Sequence, residues 1–238
     1  PLPPAVPVVA GAVEACFQLA KTLPRPQESR RRWDGDAGGQ EDTWRGDDNL
    51  RDRFHAFLEE VMRQVRSASE RPGVPVILPC GWLKARTQRQ AGQAPFDSGH
   101  CVLLVIVRSA GAEAFTVGVV NAGEGQEYHP VRPCASPPCP ELPLRQSPLV
   151  LVNIPMPRVM CSGFWYLVYR LIAHPDPSNG PSVFYGTLLP FTNERPLSAN
   201  LEDFDAQLVE FLPVPAAGDR SFAACMERAI RFALQVAE

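Results

Sequence analysis

The stretch Ser98–Gly123, SGHCVLLVIVRSAGAEAFTVGVVNAG, decides how the rest of the chain reads. It holds two apolar runs, Cys101–Val107 and Phe115–Val120, separated by Ser109–Glu113 (SAGAE). A continuous apolar run is what a strand buried on both faces looks like, and the small, glycine-containing interval is a turn. The two runs are therefore predicted to form an antiparallel hairpin centred near Gly111. His100 enters the first strand and Asn121 leaves the second, which brings both to the open end of the hairpin. With His100 directly opposite Asn121 their side chains share a face; a one-residue slip, or a bulge at Gly118, would separate them.

Outward from the hairpin, Val74–Leu78, Leu149–Ile154 and Val183–Leu189 are further strand candidates. Cys161–Ala173 (CSGFWYLVYRLIA) is apolar nearly all round, the pattern of a helix buried in a domain. Val8–Leu23 reads as a short apolar helix. A second helix starts with Asp48 as N-cap and carries Leu50, Phe54, Phe57, Leu58, Val61, Met62 and Val65 at helical spacing. Ser198 can cap a helix through Leu212, and Asp219 a last one with Phe222, Met226, Ile230 and Leu234. The expected fold class is α+β: an antiparallel sheet packed on a buried central helix, with flanking helices. A single domain over residues 1–238 is expected, with an exposed loop at 24–47 and a Pro-rich connection at 133–148.

Composition narrows the function. The chain has 238 residues, 45% of them hydrophobic, which is enough for a real core. No apolar run approaches the roughly 18–20 residues of a membrane span. A net charge of −3 argues against a nucleic-acid binder, and Arg30–Arg32 is offset by Asp34, Asp36 and Glu41. Seven cysteines without a disulfide-scaffold spacing point to free thiols in a reducing compartment, hence an intracellular, cytoplasmic protein. The first residue is Pro1 and no signal-peptide pattern follows, so a piece of a larger polypeptide is expected.

Three residues could carry chemistry. A carboxamide oxygen beside a histidine accepts one ring proton, fixes the tautomer and leaves the other nitrogen for a nucleophile. His100 and Asn121 fit that arrangement; a buried histidine with a backbone partner and a turn at Asn121 is the plain alternative. Cys161 heads the apolar helix, where free N–H groups favour a thiolate and can stabilise an oxyanion. A small packing residue is its plain alternative. Cys80 (LPCGWL) ranks second as a nucleophile, in a loop setting after a strand, and Cys16 (EACFQLA) third, with core packing favoured.

These residues resemble papain-like cysteine peptidases. The His-strand pattern of that family appears as Ser98-Gly99-His100-Cys101-Val102-Leu103-Leu104-Val105, and the Asn strand as Phe115 to Asn121. Ile106 stands where the family has Gly, and Ala122-Gly123 where it has Ser-Trp. The order His, Asn, Cys corresponds to a circular permutation. The oxyanion glutamine has no counterpart; Asn153 is the nearest amide, and Pro155 occupies much of that space. The resemblance implies a thiol-dependent hydrolase of peptide or isopeptide bonds, ubiquitin-like conjugates among them. Cys161 would be its nucleophile, His100 its base and acid, and Asn121 the residue that orients His100. Its partners would be protein or peptide substrates, with no metal or organic cofactor. The alternative is a catalytically silent domain of the same fold serving as a protein-interaction module.

Other motifs carry less. His129, Cys134 and Cys139 are spaced too widely for most zinc sites and lack a fourth ligand. Gly123-Glu124-Gly125 lacks the Lys and helix of a phosphate loop. Trp165, Tyr166 and Tyr169 are expected in the core, and His174 at a helix C-terminus.

Overall fold

Four antiparallel strands in the order β1–β2–β3–β6 form the main sheet. They are β1 (Val76–Ala85), β2 (Phe96–Arg108), β3 (Ala114–Val120) and β6 (Leu149–Pro155). The computed structural model describes residues 5–23, 47–85, 96–108, 113–132, 144–194, 197, 210–213 and 222–237. A smaller antiparallel sheet joins β4 (Val131–Arg132), β5 (Leu144–Ser147) and β7 (Glu210–Pro213) in the order β4–β5–β7. The longer helices are α1 (Ala5–Thr22), α2 (Asp47–Glu70), α4 (Ser162–Ala173) and α7 (Phe222–Ala237). Short pieces are α3 (Met156–Val159), α5 (Pro181–Val183), a π-helical turn (Phe184–Leu188) and α6 (Leu189–Asn193). The protein is α+β, as its sequence indicates.

The main sheet is covered on both sides, which explains why β2 has no polar alternation. On one side Leu78, Cys80, Trp82, Val102, Leu104 and Val119 meet Phe57, Val61 and Val65 of α2, Trp165 and Tyr169 of α4, and Phe184 and Tyr185. On the other, Ile77, Leu103, Val105, Val120 and Val150 meet Cys16 of α1 and Ala229 and Phe232 of α7. Each large side chain so buried contributes about 1.5–3 kcal/mol of transfer free energy.

The hairpin forms, in a shifted register. Leu103 faces Val120 and Val105 faces Gly118, two residues away from the pairing that sets His100 opposite Asn121. A shift of two keeps both side chains on one face of the sheet, because side chains alternate with a period of two. The β2–β3 pairing is continuous at Gly118, so the bulge weighed there is not formed.

Several expectations are corrected. Val183–Leu189 is helical: Phe184, Tyr185, Leu188 and Leu189 are buried while Gly186 and Thr187 are exposed, a helical spacing that outweighs the strand preference of the aromatic residues. Leu212 ends no helix but lies in β7, where it pairs with Arg145; residues 201–209 lie outside the described set. Within the segment 133–148, residues 144–147 are strand β5 rather than a connection, and 133–143 lie outside the described residues, as do 24–46. Helix α4 is one-sided, with Tyr166 45% and Leu167 43% exposed, so it rests on a sheet face instead of being enclosed.

Candidate functional site

The backbone brings two of the three sequence-derived residues together. His100 lies opposite Trp82 in β1, and Asn121 follows the last residue of β3. His100 Nε2 and Asn121 Oδ1 are 2.7 Å apart. Asn121 is fully buried, and its amide has a unique orientation. Oδ1 also accepts the Gly123 N–H at 2.8 Å, while Nδ2 donates to the Glu124 carbonyl at 2.7 Å and to the Tyr185 hydroxyl at 2.9 Å. An oxygen only accepts, so the proton of this contact sits on His100 Nε2. In the neutral imidazole Nδ1 is then the basic nitrogen.

The ring of His100 is held as well. Trp82 lies against it with centroids 4.8 Å apart, and the indole N–H donates to Glu124 Oε2 at 3.1 Å. Phe184 in turn packs on Trp82 at 6.2 Å. Beneath the strand pair, Gly81 has φ +136°, and a Cβ there would stand 1.9 Å from the His100 carbonyl oxygen.

Cys161 is placed elsewhere. It is the N-cap residue of α4, at the helix start that the sequence suggests, and it is half-buried. Strand β6 pairs Leu149 with Val119 and Pro155 with Ala114, and Cys161 follows α3 beyond that Pro155 end. His100 and Asn121 sit at the opposite end of β3, a strand of 7 residues that spans about 20 Å at 3.3–3.4 Å per residue. It is the C-terminal end of α4 that approaches them. Asn179 Nδ2 donates to the His174 carbonyl at 2.9 Å and to the Leu83 carbonyl at 2.8 Å, and Leu83 pairs with Gly99.

The alternative thiols are core groups. Cys80 lies inside β1, not in a loop, opposite Val102 and 3% exposed; burial raises its pKa well above the usual thiol value. Cys16 is buried in α1, and burial pushes its thiol up to about 12. Cys101 points to the α7 side of the sheet and is likewise pushed up to about 12 by burial. Cys134 and Cys139 lie outside the described residues.

From the sequence, His129 is a weak metal-ligand candidate and Tyr185 is expected in a strand. In the structure they support Asn121. His129 is 2% exposed; Nδ1 donates to the Gln146 carbonyl at 2.8 Å, and Nε2 accepts from the Tyr185 hydroxyl at 3.0 Å. Burial lowers its pKa to about 4, aided by the charges of Arg145 and Arg228 and opposed by the Gln146 contact. The spacing of the apolar residues Phe184, Tyr185, Leu188 and Leu189 around Gly186-Thr187 is the sequence signal that places Tyr185 on a helix. Among the described residues no group of three or more His, Cys, Asp or Glu is placed to hold a metal, and no helix is long and apolar enough to cross a membrane.

Compared with known proteins, the chain matches no family model, no curated protein and no solved structure.

Proposed function

We propose that the chain is a papain-like domain that keeps the histidine–carboxamide half of a cysteine-hydrolase site and serves as a protein-interaction module. The observation that carries this reading is that Cys161 follows the end of β6 that pairs with Ala114, whereas His100 and Asn121 meet at the other end of β3. A thiol attacks only from contact distance, and general-base help reaches about 3 Å or one water further. The buried thiols of Cys16 and Cys80 and the half-buried thiol of Cys101, all with raised pKa, do not replace it.

A second reading, a thiol hydrolase of peptide or isopeptide bonds including ubiquitin-like conjugates, is favoured by one observation. The 2.7 Å contact holds His100 in the tautomer that such a base requires.

One experiment separates them. The chain is treated with limiting iodoacetamide at mildly acidic pH and the labelled cysteines are mapped by mass, alongside turnover of fluorogenic peptide and ubiquitin-like amide substrates. The interaction reading expects slow labelling that is unchanged in His100→Ala, and no turnover. A single fast-labelling thiol that falls silent in His100→Ala, together with turnover, replaces it by the hydrolase.

A further inference from the structure

Four hydrogen bonds leave His100 in one continuous sense. His100 Nε2–H donates to Asn121 Oδ1 (2.7 Å), and Asn121 Nδ2–H donates to Tyr185 Oη (2.9 Å). Tyr185 Oη–H donates to His129 Nε2 (3.0 Å), and His129 Nδ1–H donates to the Gln146 carbonyl (2.8 Å). Each direction is forced by the one before it, because the chain ends on a carbonyl, which only accepts. Tyr185 and His129 are 1% and 2% exposed, where a hydroxyl or imidazole without partners would be costly. Burial also raises the Tyr185 pKa and lowers that of His129, so the phenol keeps its proton and the imidazole its lone pair.

The turn that supplies Tyr185 is unusual. Phe184–Leu188 is a π-helical turn, a form that inserts an extra residue and re-aims side chains. Through Phe184 it backs Trp82, which lies on the His100 ring; through Tyr185 it reaches Asn121, which holds His100 Nε2. These two contacts of the imidazole thus rest on neighbouring residues of one turn. A plain packing role would need only the ring of a phenylalanine.

The geometry points to Tyr185 as the positioning residue of the His100 site, with His129 as its anchor. The phenol holds the Asn121 carboxamide, and the carboxamide keeps the proton on His100 Nε2, which fixes the tautomer of the ring. This assignment is independent of whether the domain hydrolyses anything.

The test uses long-range proton–nitrogen spectra of the imidazoles in the full chain at neutral pH. The wild type is expected to show His100 as the Nε2–H tautomer, with that proton protected from solvent exchange. Tyr185→Phe is expected to speed its exchange by about tenfold or more, the equivalent of one lost hydrogen bond, while the exposed His174 is unchanged. His129→Gln can still accept from the phenol and donate to the Gln146 carbonyl, so it should retain protection, whereas His129→Leu should lose it. Unchanged His100 exchange in a folded Tyr185→Phe overturns the assignment. Should that variant not fold, identical His100 signals in His129→Gln and His129→Leu overturn it, as does an unprotected His100 Nε2 proton in the wild type.

Discussion

Gly118 of β3 lies directly under the ring of Phe232 in α7. A Cβ on the glycine would stand 2.2 Å from Cε1 and 2.7 Å from Cδ1 of that ring. The missing side chain is what lets the last helix close on its face of the sheet, where Phe232 is 1% exposed. Gly118→Ala is therefore expected to destabilise the fold by about 1–3 kcal/mol through overpacking. Phe232→Ala alone should cost about 3–5 kcal/mol. Urea midpoints of the two single variants and the double variant check the contact. Sharing one space, the two losses should add to clearly more than the double variant shows.

His129 makes stability depend on acid. Its folded pKa, lowered to about 4, lies below the unfolded value near 6.5, so the unfolded chain binds the extra proton between those limits. Stability must then rise with pH through that window: it is retained above about 6.5 and lost as the pH falls toward about 4. Complete loss of this contribution corresponds to about 3 kcal/mol. Urea unfolding followed from pH 7.5 down to 4.5 should show the slope. His129→Gln, which has no group titrating there, should flatten it; an equal slope in that variant would falsify the assignment to His129.

How much of this was legible beforehand depended on distance along the chain. The hairpin could be read because its strands and turn are contiguous, and the His100–Asn121 contact survived a two-residue error because parity, not exact pairing, decides the face. Cys161 could be read as a helix start, which is local, but its position relative to His100 depends on how β6 and α4 connect across the sheet. Cys80 looked loop-like because Gly81-Trp82 follows it. Yet Gly81 sits within β1 at φ +136°, where it allows the strand to pass close to the His100 carbonyl. Tyr185 was missed because its aromatic and β-branched neighbours favour a strand, while the packing of Phe184 and Leu188 favours a helix.

Thiol reactivity should separate by burial. Cys16 and Cys80 are 0% and 3% exposed with raised pKa values, so each is protected twice over, by lack of access and by lack of thiolate. In the native protein at pH 7.5 both should label with iodoacetamide only as fast as the fold opens. Peptide mapping in increasing urea should show their labelling rise together at the unfolding transition. Early labelling of Cys80 in native conditions would contradict its position inside β1.

Two glycine-to-alanine changes should move stability in opposite directions. Gly11 lies within α1 and is exposed, and a Cβ there would meet nothing within 4 Å. Gly11→Ala should stabilise by about 0.5–1 kcal/mol, because alanine gives up less backbone entropy in a helix. Gly81 combines φ +136° with a Cβ position 1.9 Å from the His100 carbonyl oxygen and 3.2 Å from Cys101 Cα. Both neighbours are backbone, so relief requires prying β1 from β2 at the residue that carries the candidate base. Strain of this kind costs about 1–3 kcal/mol from the dihedral alone. Gly81→Ala should therefore lose more than that, or fail to fold, and any folded fraction should show a displaced His100 imidazole signal. Thermal unfolding of the two variants beside the wild type checks the signs. A Gly81→Ala protein as stable as the wild type, with its His100 resonance unmoved, would mean that β1 and β2 do not approach at this point.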